Sequence, residues 1–118
     1  MRAKIKGFSS PDIEDFHSFT PENIGNFSFL FEFMVGPENE SGEEIFAIQV
    51  CTPQWLLSKL KKDDILLGRH FLIVLEYNFE RIFNKVKQLI EACSGDTWNE
   101  VAEKVGRIGY WEFEDYQK

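Results

Sequence analysis

Nine carboxylates and no lysine or arginine fall between Gly7 and Ser58: Asp12, Glu14, Asp15, Glu22, Glu32, Glu38, Glu40, Glu43 and Glu44. Carboxylates support two kinds of chemistry. Paired across a cleft they serve as acid and base or nucleophile, as in glycoside hydrolysis. Gathered on one surface they draw a basic macromolecule towards it, raising the association rate more than the final affinity. Glu43 and Glu44 fail as a catalytic pair on one strand, because adjacent residues point to opposite faces. Glu112, Glu114 and Asp115 near the C-terminus suit a pair better by alternation. Glu32 stands among aromatics and reads as the polar side of an amphipathic strand. The surface reading therefore leads, and the fields sum if the loop and the turn carrying these acids fold close together. Its plain counterpart is a solvated acidic surface that keeps the protein soluble.

A second chemistry would use Cys51 as nucleophile with His17 or His70 as base. Cys51 is one residue short of an expected helix start, where the helix dipole lowers a thiol pKa. No glycine-rich oxyanion motif accompanies it. Cys51 and Cys93 lie in apolar contexts without CxxC or Cys/His ligand spacing, so two buried reduced thiols are expected and a zinc site is not. The glycines show neither GxGxxG nor P-loop spacing, which leaves nucleotide binding without support, and no cofactor is expected. His70, entering a strand, reads as a hydrogen-bonded structural residue. A formal charge of −7 argues against binding nucleic acid or an anionic membrane surface, and favours a basic partner.

These side chains need a frame. At 118 residues the chain is one domain, 1–118, with a real core. Its organising stretch is Phe27 to Thr52. Phe27, Phe29, Phe31, Phe33 and Val35 share one face of a period-two run, and Phe46, Ile48 and Val50 share one face of a second. A polar segment, Pro-Glu-Asn-Glu-Ser-Gly, joins them into a β-hairpin with one very apolar face. Burying one such side chain is worth roughly 1.5–3 kcal/mol, so helices must cover the row. Arg2 to Phe8 reads as a strand with a basic wet face, suited to a sheet edge. Ser9 to Gly25 is a long loop, with Phe16 and Phe19 pinning it down.

Thr52-Pro53 is a helix start, with a hydroxyl cap and proline at the first helical position. Trp55, Leu56 and Leu60 form its stripe, and Lys59, Lys61 and Lys62 suit its negative end. Phe71 to Leu75 is apolar throughout and is expected at the sheet centre. Asn78 caps a helix whose stripe is Phe79, Ile82, Phe83, Val86, Leu89, Ile90 and Cys93. Thr97 to Glu100 has the form of a capping box opening a second helix, with Trp98, Val101, Ala102 and Val105 inward and Gly106 supplying a left-handed end. Arg107 to Phe113 reads as a last strand. The order predicts an α+β fold, a mixed or mostly antiparallel sheet around the aromatic hairpin with helices on one face. No apolar run is long enough for a signal peptide or a membrane span, and the expected location is the cytoplasm.

Several motifs in fixed order carry a resemblance: Cys51-Thr52-Pro53-Gln54-Trp55-Leu56, Gly68-Arg69-His70, Thr97-Trp98, Val101 to Gly109, and Trp111-Glu112-Phe113. With Lys4 to Phe8 and Ser10-Pro11-Asp12, they make nearly the whole chain similar to the immunity protein 8 family. The resemblance implies an α+β domain that binds and neutralises a bacterial toxin inside the producing cell, without catalysis of its own. An inhibitor of a basic nuclease toxin gains from an acidic face that displaces phosphates. On that argument the expected contact residues are Asp12, Glu14, Asp15, Glu38, Glu40, Glu43 and Glu44, with Trp111 and Tyr116 as anchors. Two alternatives stand beside it, a small hydrolase using carboxylates or Cys51, and a homo-oligomeric adaptor, a homodimer for instance.

Overall fold

The computed structural model describes residues 1–111. The elements run β1 (Ala3–Ser9), β2 (Ser28–Pro37), β3 (Glu44–Cys51), α1 (Pro53–Lys59), β4 (Phe71–Ile73), α2 (Phe79–Glu91), α3 (Trp98–Gly106) and β5 (Tyr110–Trp111). They form an α+β fold on a five-stranded mixed sheet ordered β1-β2-β3-β4, with β5 sharing the outer side of β3. Among the described residues only the β3–β4 pairing is parallel.

Strand alternation builds the core. Phe29 opposes Val50, Phe31 opposes Ile48 and Phe33 opposes Phe46 across the hairpin, so both apolar sets share one face, and all six are buried. Their rings continue a row that runs from Trp111 over Phe46, Phe33, Phe31, Phe29 and Phe27 to Tyr77, with centroids 5.3–6.2 Å apart. Such pairs add about 0.5–1.5 kcal/mol each beyond burial. The cover is α2, through Ile82, Val86 and Ile90, and α3, through Val101, Ala102 and Val105.

The turn between β2 and β3 needs glycine twice. Gly42 takes φ +106°, and a Cβ on Gly36 would sit 2.0 Å from the Gly42 carbonyl oxygen. Only a residue without a side chain permits either.

β1 is irregular. Its register against β2 shifts between Ile5 and Gly7. The bulge turns Phe8 out of the lysine face and into the rings, 5.0 Å from Phe83, 5.5 Å from Phe79 and 5.8 Å from Phe31. Residues 10–27 loop back over these rings as expected, Phe16 stacking on Phe79 at 4.4 Å and Phe19 meeting Tyr77 at 5.4 Å. Ile13 is buried there too.

Three expectations fail. The apolar run from Phe71 is not the sheet centre: β4 has three residues at the edge, and Ile73 and Leu75 are mainly exposed. β2 is already flanked by β1 and β3, and β4 joins on the free side of β3, in parallel with it. The α1 stripe buries nothing, with Trp55 and Leu56 half-buried and Leu60 exposed. Gly106 ends α3 without a left-handed turn, since Arg107 caps it in the right-handed region. The remaining caps match: Thr52 Oγ1 accepts from Trp55 N–H, Asn78 Oδ1 from Arg81 N–H and Thr97 Oγ1 from Glu100 N–H. Glu100 closes its box on Asp96 N–H instead of on the cap residue.

Candidate functional site

The acidic stretch divides into two clusters. Asp12, Glu14 and Asp15 are exposed and line a shallow hollow with Ile13, Ser18 and Phe19. The loop is tied by its own carboxylates. Asp12 Oδ2 accepts from Leu30 N–H at 2.7 Å, standing in for a β1 strand that has already ended at Ser9. Asp15 Oδ1 accepts from His17 N–H at 2.9 Å. The second cluster is Glu38, Glu40 and Glu43 on the hairpin turn, all exposed. Lys6 crosses to it and donates to the carbonyls of Glu40 and Gly42. Glu44 points to the helix side, where its Oε2 accepts from Trp98 Nε1–H at 2.8 Å.

These clusters do not sum their fields. Asp12 sits at Leu30 and Glu38 follows the far end of β2, eight strand residues on, or about 26 Å at roughly 3.3 Å per residue. Screening at physiological salt reaches about 8 Å. The expected single acidic face is therefore two acidic ends.

The remaining candidates sort by burial. Trp111 is half-buried and stacks on Phe46 at 6.1 Å, so its ring belongs to the core row. Tyr116, Glu112, Glu114 and Asp115 lie outside the described residues. Glu32 is half-buried on the face away from the rings, opposite Ala47.

The nucleophile reading of Cys51 is overturned. Its thiol is fully buried at the end of β3, and burial pushes its pKa up, where a nucleophile needs it lowered. His70 is engaged elsewhere, its Nε2 2.7 Å from the Gly106 carbonyl oxygen. Its backbone is left-handed at φ 62°, at a cost of about 1 kcal/mol, while its own carbonyl accepts from Gln49 N–H. It is a structural residue that pins β3 to α3.

Sequence reasoning missed one feature. Leu57, Ile65, Leu67, Ile73 and Leu75 project outward along α1, β4 and their connection. The signal was present as Ile65-Leu66-Leu67 directly after three lysines and two aspartates, a run without either regular period.

The model of one family, described as immunity protein 8, matches residues 3–116. The chain belongs to the immunity protein 8 family. No curated protein and no solved structure matches it. Membership makes it an immunity protein with a cognate toxin as its partner, and the family points to inhibition without catalysis. As an immunity protein it has no helix among the described residues that is long and apolar enough to cross a membrane.

Proposed function

We propose that this immunity protein neutralises its toxin by one-to-one binding, with its two acidic ends steering a basic toxin domain, a nuclease in the case that fits best, into contact. The family match over residues 3–116 carries the reading. Charge supports the steering: the net charge is −7, and Glu14, Glu38, Glu40 and Glu43 stand exposed and free of any fold-sustaining bond among the side-chain hydrogen bonds of the described residues. Fields of this kind lift association rates by one to three powers of ten and fade with salt. The chain acts as a single domain in the cytoplasm of the cell that makes the toxin.

The test is a stopped-flow association rate against its cognate toxin domain. In Glu38→Lys, Glu40→Lys, Glu43→Lys the rate at low salt drops about tenfold or more, and the difference from the native chain closes at 0.5 M salt. A rate that ignores both the reversal and the salt contradicts steering by these acids.

A further inference from the structure

Two carboxylates sit where a further strand would hydrogen-bond to the sheet. In an antiparallel pair every second residue of an edge strand turns its N–H and C=O away from its neighbour, and groups left free in this way pair with any strand that arrives. On β1 the Arg2 carbonyl accepts from Glu38 N–H on the β2 side at 2.9 Å, so Ala3 and Ile5 face away from β2. Neither N–H is free. Ala3 N–H donates to the Cys93 carbonyl at 3.0 Å, and Ile5 N–H donates to Glu91 Oε2 at 3.2 Å.

Glu91 is held in this position by its surroundings. The end of α2 is tied to the start of the chain, with Arg2 Nε donating to the Glu91 carbonyl at 2.8 Å and Gly95 N–H donating to the Met1 carbonyl at 3.0 Å. The other carboxylate oxygen of Glu91 faces Lys87 Nζ at 4.0 Å, one turn back on the helix. Beyond Ile5 the bulge interrupts the strand, and β1 ends at Ser9, opposite Glu32. Past that point Leu30 N–H of β2 faces the same side, and Asp12 Oδ2 takes it at 2.7 Å. Two carboxylates, 79 residues apart in sequence, thus hold backbone donors along one side of the sheet. Lys4 and Lys6, exposed on β1 between them, add charge to the same side.

We propose that Glu91 and Asp12 are edge guards, which occupy the backbone donors of Ile5 and Leu30 and so keep the β1 side of the sheet from pairing with a second copy of the chain. A second copy is the occupant that such an edge admits, because β1 set antiparallel to its own equivalent pairs through main-chain groups alone. Hydrogen bonds to a carboxylate are among the stronger ones, so the guards compete well with an arriving strand. The device stands apart from the toxin-binding reading: it governs whether copies stay separate, whatever surface meets the toxin.

Sedimentation velocity at about 0.1 mM chain and about 0.3 M salt tests it, the salt being there to screen the lysines. Asp12→Ala, Glu91→Ala sediments with a weight-average mass roughly twice that of the native chain or more. Asp12→Asn, Glu91→Gln loses the same charge but keeps a side-chain oxygen for each N–H, and it sediments with the native chain. Glu91→Ala alone leaves Asp12 on the loop and the loop in place, and its mass also rises, at an unchanged circular dichroism spectrum. Native mass in both alanine variants overturns the proposal. So does association of the Asn/Gln variant equal to that of the alanine pair, which would assign the separation to charge, and so does association of Glu91→Ala only with loss of the native spectrum, which would assign it to unfolding.

Discussion

At the residue scale, the two thiols are set by burial and not by reactivity. Burial pushes both Cys51 and Cys93 up, with Lys104 and Arg107 pulling Cys93 partly back. A thiol raised by folding holds its proton more tightly in the native chain than in the unfolded one. Its contribution to stability is full below the unfolded value of about 8.5, and is lost as pH rises from there through the folded value. The urea midpoint is thus expected to hold steady from pH 7 to 8 and to decline above about pH 8.5. In the double variant Cys51→Ala, Cys93→Ala the decline is shallower. A midpoint that rises with pH in this window contradicts the burial argument. Residue chemistry of this sort was legible in part: the apolar context of each cysteine reads directly, while the pairing of His70 with the Gly106 carbonyl depends on a contact 36 residues away.

At the element scale, the joint between the hairpin and α1 depends on Thr52. It is fully buried, and its Oγ1 accepts from Phe27 N–H at 3.2 Å and Trp55 N–H at 3.3 Å. One hydroxyl therefore caps the helix and satisfies the entry to β2. Thr52→Ala removes a cap worth about 1 kcal/mol and leaves a buried N–H unpaired at about 1–3 kcal/mol, so a loss of about 2–4 kcal/mol in urea unfolding is expected. Thr52→Ser keeps the oxygen and loses about 1 kcal/mol or less. A loss under about 0.5 kcal/mol for the alanine variant would deny the double role. The hairpin, α2 and the caps were legible because their patterns are local: a period of two, a period near 3.6, and hydroxyl or amide side chains just ahead of apolar stripes. The place of β4 was not. An apolar run such as Phe71 to Leu75 looks alike at a sheet centre and at an edge, and strand order decides which. The bulge between Ile5 and Gly7, which brings Phe8 to the rings, is equally silent in sequence.

At the scale of the whole molecule, two exposed acidic clusters, Asp12, Glu14 and Asp15 on the loop and Glu38, Glu40 and Glu43 on the turn, flank the two ends of β2, and the aromatic row packs between the sheet and α2 and α3. Sequence disclosed how many acids there were and that no base interrupted them. Their division into two ends, about 26 Å apart, follows from β2 running straight between the loop and the turn. The central claim is inhibition by occupancy. Titrating a fixed amount of toxin with the purified chain and reading residual toxin activity tests it most directly. The account predicts a linear fall that ends at one chain per toxin, with both proteins recovered covalently unchanged. Complete inhibition at a small fraction of an equivalent, with altered toxin or consumption of a small molecule, would contradict it.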